Sequence, residues 1–233
     1  MHGSNKIEID KVIIINLKKR KDRLKYCIND LIPSLPKELQ EKVEIFEAID
    51  RTNFESRNQR AAGCALSQAA VWKLCRERKY NRVLIFEDDV KPVVSQQEIY
   101  EYFDTIKTID FALCALSYFK MSPLVSSKYD KFRHTHYFFH ASAYIARVSS
   151  LNEMISTVEY NAGFLEKNYP IGRHAIDVVW HKFHNNRHKK HSFKEWLLTD
   201  KCLFLQRNLF SDIEGECVVH KIPKKSFDPV KFR

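Results

Sequence analysis

Short apolar blocks alternate with stretches in which apolar residues recur at helical spacing, and this alternation runs through most of the chain. Residues 12–17 form the first block and predict a strand. Residues 20–31 follow as a basic amphipathic helix that Pro33 and Pro36 bring to an end. Residues 43–49 alternate apolar and acidic positions, the period of a second strand, and residues 50–60 make a polar connection. From 61 to 78, Ala65, Leu66, Ala69, Val71, Trp72 and Leu74 fall at helical spacing and predict a helix with Trp72 in the core. The block 83–86, Val-Leu-Ile-Phe, then has the β-branched and aromatic character of a strand covered on both faces.

The second half is less regular. Residues 111–116 predict a strand, residues 117–133 a long polar and aromatic connection able to close over a site, and residues 136–146 a strand whose direction could be antiparallel. A helix is expected near 150–159, a loop from 163 to 172, a helix over 174–184 and a short strand at 202–205. Strands alternating with helices give an α/β fold, a mostly parallel sheet flanked by helices. No repeat, linker or composition break divides the chain, so residues 8–220 are expected to form a single domain and the basic residues 221–233, with two prolines, a loosely held C-terminal tail.

Composition narrows the class. At 233 residues, 44% hydrophobic and 12% aromatic, the chain can bury a full core. No apolar run approaches the ~20 residues of a membrane span, and acids and lysines stand where a signal peptide would have its apolar segment. A soluble, cytoplasmic protein is the expectation. Six scattered cysteines, with no Cys-x-x-Cys pair, suit free thiols of a reducing compartment. The net charge of +10 favours phosphates, anionic lipid or nucleic acid as partners. His181, His184, His188 and His191 suggest zinc by their spacing, but Lys182, Arg187, Lys189 and Lys190 interleave with them and no thiolate or carboxylate joins them. A basic surface suited to peripheral contact with an anionic membrane or an acceptor phosphate fits that stretch better.

The strand at 83–86 runs directly into Glu87, Asp88 and Asp89. Open α/β sheets bind ligands beyond the carboxyl ends of their strands, and a hard divalent ion, Mg²⁺ or Mn²⁺, would relieve the mutual repulsion of three acids. An acidic turn capping the next helix would explain them too. Asn16, Arg20 and Arg23 sit where backbone N–H groups and cations would meet a nucleotide, or else form a solvated helix face capped by Asn16. Gly63, Ser67 and Gln68 open the helix before the acidic strand, where small residues allow close approach to a ligand and where capping and packing serve nearly as well. Asp177 lies in the apolar run Ile176-Asp177-Val178-Val179-Trp180 and would be costly to bury alone. It could act as a general base, or pair with Arg173 or His174. Ser211 and Asp212 could form a second acidic patch or a helix cap, and His220 could reach a diphosphate.

Four separated motifs coincide with one pattern: Ile15-Asn16-Leu17 with Arg20, Asp22 and Arg23; Gly63-Cys64-Ala65-Leu66-Ser67 with Trp72; Leu84-Ile85-Phe86-Glu87-Asp88-Asp89; and Gln206 with Ser211-Asp212-Ile213. In order and spacing, from about residue 12 to 215, the chain resembles the family 25 glycosyltransferases, which include bacterial lipooligosaccharide and procollagen galactosyltransferases. One departure is Gln68, where the family usually has His; glutamine keeps a donor and an acceptor but loses the titrating ring. The resemblance implies a GT-A type nucleotide-sugar-binding fold and inverting transfer of galactose or glucose from a UDP-sugar to a glycan, glycolipid or hydroxylysine acceptor, with Mn²⁺ or Mg²⁺. It implies Asp89 and Glu87 at the metal, and Glu87 and Asp88 on ribose or sugar hydroxyls. Asn16, Arg20, Arg23, Ser67 and Gln68 would then lie toward the donor, with Asp177 and Asp212 as the catalytic acids. A basic nucleic-acid-binding protein or metal-dependent nuclease is the competing class, but no helix-turn-helix, zinc finger or aromatic stacking motif supports it, so no specific nucleic acid is expected. A degenerate, non-catalytic member of the fold is the third alternative.

Overall fold

Residues 8–120, 124–134, 138–139, 141–180, 196–207, 209–214 and 216–218 are described by a computed structural model. In chain order the strands are β1 (Lys11–Asn16), β2 (Val43–Glu47), β3 (Arg82–Glu87), β4 (Val90–Pro92), β5 (Leu113–Ala115), β6 (Phe119–Lys120), β7 (Val125–Ser126), β8 (Phe132–His134), β9 (Phe138–Phe139), β10 (Ala143–Arg147), β11 (Trp196–Thr199), β12 (Phe204–Gln206), β13 (Leu209–Ser211) and β14 (Glu216–Val218). The helices are α1 (Lys21–Tyr26), which continues as a π-helical turn over Cys27–Leu31, α2 (Lys37–Gln40), α3 (Arg57–Glu77), α4 (Gln96–Ile106), α5 (Asn152–Glu166) and α6 (Ile171–His174).

Among the described residues, eight strands form one sheet in the order β2-β1-β3-β10-β5-β11-β8-β7. It is mostly parallel, because β2, β1, β3, β5, β11 and β7 point one way and only β10 and β8 point the other. The antiparallel direction left open for the strand ending near residue 146 is the one β10 takes. On β1, Ile13 and Ile15 pack with α3 and α5, while Val12 and Ile14 pack against residues of the π turn and α4. That two-sided burial is why β1 and β3 read as unbroken apolar runs. Trp72 is fully buried, as its spacing predicts. Cys27, Cys64, Cys75, Cys114 and Cys202 are free thiols.

Several boundaries differ from expectation. The helix near 150–159 runs on to Glu166 and takes in Gly163, because Ala162 and Leu165 remain buried at helical spacing. A mid-helix glycine costs about 1 kcal/mol, which burial of a leucine, worth roughly 1.5–3 kcal/mol, offsets. The helix expected over 174–184 is broken: α6 ends at His174, Ala175 is extended, and residues 176–180 are helical again. The connection 117–133 contains β6 and β7 and enters β8, and the strand expected at 202–205 is β12, shifted by a residue or two. Helix α4 was not anticipated, although Ser95 and Glu98 make a full capping box at its start. His181, His184, His188, His191, His220 and the basic tail lie outside the described residues. Among the described residues no helix is long and apolar enough to cross a membrane.

Candidate active site

β1 and β3 are parallel neighbours with Ile15 opposite Glu87, so their carboxyl ends place Asn16 beside the acidic triplet. Asn16 is buried and its Nδ2 donates to Asp88 Oδ2 at 2.7 Å and to the Arg20 carbonyl at 3.3 Å. The first turn of α1 lies over this point. From it Arg23 Nη1 donates to Asp88 Oδ1 at 2.7 Å and to Asp89 Oδ2 at 3.1 Å, and its Nη2 stands 3.5 Å from Asp212 Oδ2. Arg20 grips Asp22 with two bonds of 2.9 and 2.8 Å and turns its remaining nitrogen to Asp212. The bond to Asp22 raises the Arg20 pKa and holds the Asp22 carboxyl down to about 2. Asp212 therefore sits as a bridge between two arginines, Arg20 at the start of α1 and Arg23 within it.

Glu87 and Asp89 live in a different environment. Among the described residues Glu87 receives only weak or neutral side-chain donors, the Cys64 thiol at 3.5 Å and Gln206 Nε2 at 3.1 Å. Burial, and after it the charge of Asp89, pushes the Glu87 carboxyl up. Burial also raises Asp89, against the pull of Arg23. Asp89 Oδ1 is buried with no hydrogen-bond partner among the described residues, an expensive state for a carboxylate oxygen. The turn is held in place from behind: β4 pairs with β12, Val90 lies opposite Gln206, and the Asp89 carbonyl accepts the Arg207 N–H at 2.7 Å.

Two adjoining cavities of about 130 and about 410 Å³ meet over these acids, sharing Arg23, Cys64, Glu87, Asp89 and Gln206 among their lining residues. The first lobe extends over Leu17, Ile49, Thr52, Arg60 and Asp212. The second extends over Ala61, Ala141, Ile171, Ile176 and Asp177. Gly63 lets the segment 49–51, which lines the first lobe, lie close against α3, because a Cβ there would stand 2.9 Å from the Ile49 carbonyl and from Arg51. Ser67 holds the same loop, accepting the Ile49 N–H at 2.8 Å and donating to the Gly63 carbonyl at 2.7 Å. Gln68 is buried, donating to the Ala141 carbonyl and accepting from Tyr144.

Asp177 lines the second lobe, and its carboxyl is raised by burial. It accepts the Val178 N–H at 2.9 Å and forms no ion pair among the described residues, while His174 Nδ1 meets Asn161 Oδ1 at 2.8 Å. The structure thus brings Asn16, Arg20, Arg23, Asp88, Asp89 and Asp212 into one network. Glu87 adjoins it, Ser67 and Gln68 are buried side chains in the wall of the first lobe, and Asp177 stands in the second lobe. Cys64 and Gln206 belong to the site as direct partners of Glu87, although the sequence marked them only as motif members. Arg51 and Arg60, which line the first lobe, had no local signal in the polar stretch 50–60. Among the described residues no group of three or more His, Cys, Asp or Glu side chains is arranged to hold a metal ion unaided.

The family profile described as glycosyltransferase family 25 (LPS biosynthesis protein) matches residues 9–175, most of the chain. The chain belongs to glycosyltransferase family 25. Membership makes it a glycosyltransferase, and the matched span includes Arg20 and Arg23, the Gly63–Gln68 stretch of α3 and the acidic triplet, stopping just short of Asp177. No curated protein matches the chain. Among solved structures, a glycosyltransferase involved in the glycosylation of the major capsid of PBCV-1 has a TM-score of 0.50 at 9% identity, over 89% of this chain and 97% of that one. That likeness concerns the fold. A mannose-1-phosphate geranyltransferase from Thermus thermophilus follows at TM-score 0.42 and 8% identity, covering 83% of this chain and 74% of its own. The glycosyltransferase GlyE of Streptococcus pneumoniae has TM-score 0.46 and 7% identity over 82% of this family 25 chain, which spans 45% of GlyE.

Proposed function

We propose that this family 25 enzyme transfers a hexose, galactose or glucose, from a UDP-sugar to a hydroxyl of a glycan, glycolipid or hydroxylysine acceptor, inverting the anomeric centre with the help of Mn²⁺ or Mg²⁺. The observation that carries the proposal is the buried, partnerless Asp89 Oδ1 beside a Glu87 that meets no cation among the described residues. Two carboxylates are too few for an all-protein cage. They suit a divalent ion that takes its other oxygens from water and a substrate diphosphate, so Asp89 and Glu87 would hold it, and its chemistry there would be to neutralise charge gathering on the leaving diphosphate.

The first lobe is the nucleotide side, where Arg51 and Arg60 suit an anion, Arg20 stands next to the lobe through its bond to Asp212, and Asn16 and Arg23 keep Asp88 fixed for contacts with ribose or sugar hydroxyls. The second lobe is the acceptor side. Asp177 takes the proton from the attacking hydroxyl there, the new glycosidic bond forms from that oxygen, and the bond from the anomeric carbon to UDP breaks with the electron pair leaving on the diphosphate. A carboxylate raised by desolvation is a stronger base than a solvated one. Asp212 serves as the tether of α1. All these residues act from one domain spanning 8–220, and the charge of +10 suits peripheral contact with an anionic membrane carrying the acceptor.

Calorimetric titration with UDP tests the proposal. UDP should bind in the presence of Mn²⁺ and lose at least about tenfold in affinity when EDTA is added. Equal affinity in both conditions would remove the divalent ion from the donor site.

A further inference from the structure

Gln68 is part of the wall of the first lobe, yet its side chain is almost fully buried and both ends of its carboxamide are held in a chain of buried hydrogen bonds whose direction is fixed at one end. The Trp72 indole N–H can only donate, and it donates to the Tyr144 hydroxyl oxygen at 2.6 Å. Tyr144 therefore directs its own hydrogen to Gln68 Oε1, at 2.7 Å. That assigns the carboxamide: its oxygen faces Tyr144, and its Nε2 donates to the Ala141 carbonyl at 3.2 Å. Residue 68 must offer an acceptor on one side and a donor on the other. Glutamine meets both demands, and so does one tautomer of neutral histidine. Leucine meets neither.

The chain of bonds reaches both lobes. Ala141 lines the second cavity, and the next residue, Ser142, accepts the Glu87 N–H on its carbonyl at 2.8 Å and donates to Ser117 Oγ at 3.2 Å. On the other side the Tyr144 ring packs edge-on against Trp180, with centroids 4.7 Å apart, and Trp180 lies one helical turn beyond Asp177. Trp72 touches the same Trp180 ring, with centroids 6.3 Å apart. One buried side chain thus braces the backbone of Glu87 and, through Tyr144, the segment that carries Asp177.

We infer that Gln68 is a positioning residue that sets the spacing between the Glu87 carboxylate and Asp177 without touching the donor; the catalytic consequence rests on the function proposed above. Loss of the brace slows transfer and spares nucleotide binding, because the Gln68 carboxamide is bonded at both ends within the protein and the opposite wall of the first lobe is held by the ion pairs of α1.

The experiment compares Gln68→Leu and Gln68→His with the wild type in three measurements: kcat for transfer from a UDP-sugar, the Kd for UDP, and hydrogen exchange of the Glu87 amide. Gln68→Leu should lower kcat by about tenfold or more, leave the UDP Kd within about threefold, and speed Glu87 exchange by about tenfold. Gln68→His should bring all three back to within about threefold of wild type. Parallel loss of kcat and UDP affinity in Gln68→Leu would mean direct donor contact and overturn the inference. So would wild-type kcat and exchange in that variant, or a histidine variant no better than leucine. If Gln68→Leu does not fold, Tyr144→Phe takes its place, since it removes one hydroxyl from the same chain; unchanged Glu87 exchange there overturns the inference equally. A wild-type protein that neither binds UDP nor transfers a sugar would refute the proposed function, and the exchange data would still decide the role of Gln68.

Discussion

Asp88 and Asp89 are neighbours in sequence, yet the site changes character between them: Asp88 has a partner for each oxygen and Asp89, among the described residues, for one of its two. On the α1 side every acid meets a cation: Arg23 reaches Asp88, Asp89 and Asp212, and Arg20 reaches Asp22 and Asp212. Across the cleft, among the described residues, Glu87 meets a thiol and an amide, Asp177 meets one backbone N–H, and Asp89 turns one oxygen toward nothing. The difference separates two uses of buried charge. Charges paired within the protein fix a shape in advance of the ligand, whereas charges held apart from any partner keep a binding capacity open at a cost in stability.

The largest expected effect comes from breaking the paired wall. Arg23→Ala leaves the buried Asp88 without its guanidinium, and urea unfolding should record a loss of about 3–5 kcal/mol. A variant as stable as wild type would show that the ion pairs are incidental to that wall. Breaking the unpaired wall should do the reverse. Asp89→Ala should lower kcat by about 10²–10³ with little change in melting temperature, since relief of its repulsion with Glu87 and Asp88 offsets the loss of its bond to Arg23; a clear drop in melting temperature would place Asp89 among the structural charges.

Asp177→Asn is the finest probe. It should lower kcat by about a hundredfold and leave the UDP Kd within a few-fold. The sign of its pH dependence follows from the raised pKa of the wild-type carboxyl. A folded state that holds the proton more tightly than the unfolded chain loses stability as the pH rises through the unfolded value of about 3.9, the penalty is complete above the folded pKa, and it vanishes below the unfolded value. The asparagine variant should therefore melt higher than wild type near pH 8, and the gain should disappear near pH 3. A gain independent of pH would assign the stabilisation to something other than the carboxylate.

Much of the framework was legible because it is written locally. The apolar run of β3 ending in three acids, the helical spacing of α3 and the alternation of β2 each carry their own period. Helix α4 was legible too, through the Ser95–Glu98 capping box, and went unread. What the sequence could not carry is pairing at a distance. Nothing near Asp212 announces that Arg20 and Arg23 will claim it, and nothing near Gln68 announces Tyr144, because such contacts exist only once the sheet order is set. The continuation of α5 through Gly163 was hidden for a similar reason: tertiary burial of Leu165 overrides a poor local propensity.

The Arg20–Asp212 ion pair also has a meaning in time. Its partners are 192 positions apart, and at a synthesis rate of about 5–20 residues per second they emerge roughly 10–40 s apart. Through that interval β1, α1 and the acidic triplet can assemble while Arg20 has Asp22 alone and still lacks Asp212, and the first lobe lacks its far rim. A growing chain can thus own a nearly finished sheet and still be unable to grip a sugar nucleotide. On the proposed reading, the donor lobe is complete only with the turn that carries Asp212.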